Sequence, residues 1–165
     1  MKKLSVLFAA IIMFASIGLN AQKIATLDVA AVLNAMPEKK KADTQLDAFS
    51  NAKAAEIKKQ GESAQALYEK YSKEAATQTP EVNKTRQEEL EKISDNLDKL
   101  KADAQKELFA KQDAAFAPIE AKFNAAVKKV ATANGWEYIM DSNSTAFVFK
   151  AGPDATAAVK KELGL

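Results

Sequence analysis

The 165 residues contain neither histidine nor cysteine, so any chemistry here must proceed without the two most versatile side chains. Their absence removes the common zinc sites and the Ser-His and Cys-His nucleophile pairs. No phosphate-cradling glycine loop, nucleophile elbow or metal-ligand spacing is present either. Carboxylates are plentiful, but nearly all sit beside lysines along helical stretches, the pattern of a solvated face rather than of an isolated acid and base. No catalytic, cofactor or metal residue is assigned, and the chain reads as a non-enzyme. What remains is binding chemistry carried by aromatic rings. Phe49, Tyr68, Tyr71, Phe109 and Phe116 fall on long helical segments, where exposed rings would offer contacts to an apolar partner. Trp136, the single tryptophan, shares a strand-like run with Tyr138 and Met140 and reads as core or interface.

The element that must position most of these rings is the stretch 37–117, which has no strand signal and reads as two long helices folded back on each other. Its tip is Thr77-Gln78-Thr79-Pro80, with Thr79 suited to the N-cap and Pro80 to the first helical position. Apolar residues pair across the tip: Leu67 with Leu90, Ala64 with Ile93, Ile57 with Leu100 and Phe49 with Leu108, each pair of numbers adding to 157. A constant sum is what an antiparallel helical hairpin requires. The steps of three and four make a narrow coiled-coil-like stripe, interrupted by polar Lys53 and Gln60. Acid-before-base pairs four apart, Glu69 with Lys73, Glu88 with Lys92, Asp95 with Lys99 and Glu107 with Lys111, are expected to support the solvated faces. At about 1.5 Å per residue, roughly 40 residues per limb give an arm of about 60 Å. Gly61 opposite Asn96 marks an expected bend. Pro37 and Pro118 come level at the base, where Pro118 is expected to kink or restart the second helix.

Flanking segments supply the rest. Lys2 and Lys3 precede the apolar run Leu4 to Ile17, and Ala21 precedes Gln22, so residues 1–21 read as a cleaved secretory signal peptide. That run is shorter than the roughly 20 residues a membrane span needs, and no cysteine follows it to carry a lipid. Removing Lys2 and Lys3 from the 24 basic residues leaves 22 against 22 acidic, a neutral chain. Nothing clusters to neutralise phosphates, so nucleic acid is not an expected partner. Lys23 to Leu27 reads as a strand, Asp28 as the cap of a short helix to Asn34, and Ile119 to Val130 as a more apolar helix ending at Asn134-Gly135. Trp136 to Met140 and Thr145 to Phe149 are expected to form a β-hairpin, and Asp154 to cap a last helix ending at Leu163. The body, 22–36 plus 118–165, is small for an independent core, and without disulfides its remedy is association. The strand 145–149 is apolar on both faces and so calls for two covers. Ile24, Leu27, Trp136, Tyr138, Ile139, Phe147, Val148 and Phe149 are the residues expected to build that oligomerisation body.

Four segments in order resemble the Skp/OmpH family of periplasmic chaperones: KIATLDVAAVLNAMPEKKKA, the charged hairpin, PIEAKFNAAVKKVATANGW and EYIMDSNSTAFVFKAGPDATAAVKKELG. The hairpin is generic, whereas the two flanks carry the specificity. The resemblance implies an α+β, mostly helical fold in which a long antiparallel arm projects from a small β-sheet body, assembled as a jellyfish-like homotrimer. It also implies an ATP-independent holdase that cages unfolded outer-membrane proteins in the periplasm. One departure is the neutral arm, ten basic against ten acidic residues over 57–106, where some relatives are strongly basic. That neutrality argues against contact with lipopolysaccharide or anionic membrane. A different reading is a structural or adaptor trimer whose arms bind one folded envelope partner. Such an arm would need a second continuous apolar stripe, and the outer faces are charged.

Overall fold

The structure is a computed structural model that describes residues 23–165. The expected signal peptide lies outside these residues. In chain order the elements are β1 (Ile24–Leu27), α1 (Val29–Leu33), α2 (Pro37–Glu74), a 3₁₀ turn (Ala75–Thr77), α3 (Pro80–Asn134), β2 (Tyr138–Asp141) and α4 (Thr156–Leu163). They fall into two compact units, one made of residues 40–118 and the other of 23–39 with 119–165.

The β-containing unit starts from a cap. Asp28 accepts a 2.8 Å hydrogen bond from the Ala31 N–H, which satisfies one of the free donors at the start of α1. Its neighbours Leu27 and Val32 point inward and join Ala126, Val130, Ala155 and Val159 in one buried cluster. Phe123, Trp136 and Ile139 pack against that cluster. Gly135 closes α3 at a φ of 68° and Gly164 follows α4 at a φ of 77°, left-handed positions that favour glycine. Asp154 bonds the Thr156 N–H at 2.8 Å, although it stands one residue before the N-cap of α4, Ala155.

The sheet differs from the expected hairpin. β2 pairs with β1 in parallel, with Ile24 opposite Tyr138 and Leu27 opposite Asp141. On its other side β1 meets the backbone near Asp154: the Thr26 N–H donates to Pro153 O at 2.8 Å and the Ala155 N–H to Thr26 O at 2.7 Å. Residues 145–149 form no strand. Local bonds replace a ladder there, with the Asn143 N–H on Asp141 Oδ1, the Ala146 N–H on Ser144 Oγ, and Lys150 Nζ on Ser142 O. The physical reason lies in the segment's composition: apolar on both faces, it finds no second cover among the described residues.

The helical unit matches the expected hairpin closely. α2 starts at Pro37, and Thr79 Oγ1 accepts from the Val82 N–H at 3.3 Å to open α3. Ala42, Leu46 and Ala104 are buried, while Phe49, Ile57, Ala64, Leu67, Leu90, Ile93, Leu97, Leu100 and Leu108 are half-buried, as expected where only two helices share a seam. α3 runs through Pro118 without restarting. The four expected acid-before-base pairs do not form among the described residues. Lys58 meets Glu62 at 3.8 Å and Lys84 meets Glu88 at 4.0 Å in the opposite order. Exposed pairs gain only a few tenths of a kcal/mol, so competing partners decide. Glu107 turns to Lys53 across the hairpin, and Glu69 accepts from Gln65.

Candidate functional site

Within the helical unit, polar side chains clamp the two helices on the flanks of the seam. Lys53 Nζ lies 3.4 Å from Glu107 and 3.8 Å from Glu56, so the lysine that interrupts the stripe is neutralised in place. The Phe49 ring has two ammonium groups near its face, Lys53 at 5.7 Å and Lys111 at 5.0 Å from the centroid. Nearer the tip, Arg86 Nη2 bonds Glu74 at 2.6 Å while its guanidinium stacks 4.4 Å over Tyr71. The Tyr71 hydroxyl donates to Glu89 at 2.6 Å, and that carboxylate pushes the phenol pKa up because it favours the protonated form. Arg86 Nη1 is buried and makes no hydrogen bond. The cross-helix pairs 49–111, 53–107, 71–89 and 74–86 all add to 160, three more than the apolar pairs, as flanking positions of an antiparallel seam should.

Of the five candidate contact rings, Tyr68 and Phe109 are open to solvent, at 58% and 57% exposure. Phe49, Tyr71 and Phe116 are half-buried, the first two engaged as described. Gly61 lies inside α2 with open space where a Cβ would point, and Asn96 opposite is exposed. Pro37 and Pro118 are exposed at the start of α2 and inside α3. A groove of about 460 Å³ opens along the seam, floored by Ala64, Leu67, Ile93 and Leu97 and rimmed by Lys59 and Gln60.

The eight residues expected in the oligomerisation body divide in the β-containing unit. Leu27 is buried, and Trp136 and Ile139 pack on the chain's own core. Ile24, Tyr138, Val148 and Phe149 face solvent, Val148 and Phe149 at 104% and 83% exposure, and Phe147 is half-buried. A hollow of about 450 Å³ lies between β1 and this loop, lined by Ile24, Thr26, Phe147, Phe149 and Pro153 among others.

Carboxylates with lowered pKa values serve as fasteners. The Ala31 N–H, then Asn143, holds Asp28 in its charged form; Lys122 does so for Glu38, and the Thr156 hydroxyl and N–H for Asp154. Among the described residues there is no metal-ligand cluster, and no helix is long and apolar enough to cross a membrane. Sequence reasoning overlooked Arg86. Its signal was available, because it is the only arginine among 24 basic residues, and stacking on a ring while hydrogen-bonding a carboxylate is what lysine does poorly.

The sequence pattern of a family described as "Outer membrane protein (OmpH-like)" matches residues 23–163. Among solved structures, an OmpH-like outer membrane chaperone from Caulobacter crescentus CB15 superposes with a TM-score of 0.71 at 17% identity, covering 88% of this chain and 86% of that one. That likeness is one of fold. No curated protein sequence matches.

Proposed function

Because the chain belongs to the OmpH-like outer membrane protein family, we propose that it is a chaperone of the cell envelope that holds unfolded outer-membrane proteins. In this reading the exported chain works in the periplasm without ATP, as a homotrimer associated through the β-containing unit, and is not an enzyme. The observation that carries the proposal is how apolar groups are distributed on the hairpin: isolated exposed rings, Tyr68 and Phe109, and half-buried seam residues, set among balanced charges. Scattered weak contacts of this kind suit a binder of many sequences. Several held in one assembly add avidity, and none alone is strong enough to trap a bound chain. The neutral arm gives no field to select an acidic or basic client.

The test is dilution of a urea-unfolded transmembrane β-barrel protein into buffer containing the mature chain and no nucleotide. Suppressed light scattering at stoichiometric ratios is the expected result, with little change between low and high salt. Failure in both salts, together with tight binding of one folded envelope protein, would replace the holdase with an adaptor.

A further inference from the structure

The loop 142–152 is apolar but has no anchor in the core. Val148 and Phe149 are exposed and Phe147 is half-buried, and among the described residues none of the loop's apolar side chains joins or packs against the buried cluster of the β-containing unit. Its ends are fixed by backbone: the Ser142 N–H donates to Leu27 O and the Thr26 N–H to Pro153 O, each at 2.8 Å. Between those ends the bonds stay inside the loop, with the Ala146 N–H on Ser144 Oγ, the Phe147 N–H on Ser144 O and Lys150 Nζ on Ser142 O. Among the described residues one side-chain bond leaves the loop for a distant part of the chain. Asn143 Nδ2 donates at 2.9 Å to Asp28 Oδ1, 115 residues earlier.

The receiving carboxylate is itself fixed. Asp28 Oδ1 accepts from the Ala31 N–H at 2.8 Å, and the Asp28 N–H donates to Thr156 Oγ1 at 2.9 Å, so α1 and α4 hold the acceptor in place. An amide donating to a fixed carboxylate makes one of the stronger hydrogen bonds. On the loop side, the Asn143 N–H is taken by Asp141 Oδ1 at 3.0 Å, which sets the backbone from which the carboxamide reaches Asp28. We propose that the Asn143–Asp28 bond is a latch that holds the 142–152 loop open, so that Val148 and Phe149 are presented to a second copy of the chain instead of folding onto their own. The inference rests on the homotrimer reading and adds to it the residues that position the contact. Exposed apolar side chains leave water wherever the backbone allows. The hollow of about 450 Å³ between β1 and the loop, lined by Ile24, Phe147 and Phe149, gives them a place to go within the same chain once the loop is free to move. The latch opposes that collapse. Asn143 and Asp28 are therefore positioning residues, acting on association through the loop they fix.

The test uses the full mature chain, with association read by sedimentation across a concentration series. Asn143→Ala removes the donor and should weaken association by roughly tenfold or more, the order of one hydrogen bond to a charged group. Asn143→Asp sets two carboxylates face to face and should weaken it at least as much. The exchange variant, Asp28→Asn with Asn143→Asp, restores a donor facing a carboxylate and keeps a good N-cap on α1, so it should recover most of the loss. Circular dichroism, and the fluorescence of Trp136, which packs against the core, should match the parent in all three. Parental association in Asn143→Ala overturns the latch while leaving the homotrimer intact. So does an exchange variant no better than Asn143→Asp. A change in Trp136 fluorescence or helical signal in step with lost association would make Asn143 a residue of the fold at large, and also overturns its positioning role. A parent chain that stays monomeric at every concentration removes the homotrimer reading and the latch together.

Discussion

At the scale of single residues, the cluster around Arg86 makes the sharpest claim. The guanidinium is stacked on Tyr71 and bonded to Glu74, with only 18% of its side chain exposed, so both partners gain from one planar group. A double-mutant cycle of Arg86→Met with Glu74→Gln, read by thermal unfolding, should give a coupling of about 0.5–1 kcal/mol. Arg86→Lys should recover less than half of it, because a compact ammonium cannot stack flat on Tyr71 while it reaches Glu74. A second residue-scale prediction concerns acid. Asp28 and Asp154 have pKa values held below the ordinary range by N–H and O–H donors, Ala31 first for Asp28 and the Thr156 hydroxyl first for Asp154. The unfolded chain binds protons first as pH falls through about 4, so stability that is full above that pH is lost below it, down through the lower folded values. Melting curves from pH 7 to 2.5 should show this decline, and Asp28→Asn, which can still cap but does not titrate, should flatten part of it.

At the scale of elements, the hairpin was legible in the sequence and the sheet was not. Helical pairing across 77–80 is written in a periodicity of three and four, and the partners sit at mirrored distances from one turn; Leu67 and Leu90 reveal each other. The partner of Tyr138–Asp141 is Ile24–Leu27, more than 100 residues earlier, and no local pattern encodes a parallel pairing delivered by two long helices. The nearer apolar run, Thr145 to Phe149, was the natural candidate for a hairpin, yet among the described residues only Phe147 is half-buried, and Val148 and Phe149 stay exposed. The same contrast between buried and half-buried seam residues predicts graded stability. Leu46→Ala removes a side chain that is 9% exposed and should cost about 2–4 kcal/mol. Leu67→Ala, already half in water and bordering the groove, should cost about half as much in the same denaturation experiment.

At the scale of the whole molecule, the proposed homotrimer requires a surface that brings copies together. The β-containing unit does not need Val148 or Phe149 for its own core, which is built from Leu27, Val32, Ala126, Val130, Ala155 and Val159. Both nevertheless sit in water, as do Ile24 and Tyr138, and Phe149 lines with Ile24 the hollow between β1 and the 145–150 loop. Leaving large apolar side chains this exposed is costly for a monomer and favourable for an assembly in which a second copy covers them. The double substitution Val148→Ser with Phe149→Ser should therefore abolish association in sedimentation at micromolar concentration, while circular dichroism keeps its helical signal. Holding of an unfolded β-barrel protein should fall with it by more than any single hairpin substitution achieves, because avidity across subunits disappears at once. A double variant that still sediments with the parent would place the contact on another face. One that turns monomeric yet holds its client at full strength would show that each hairpin acts alone.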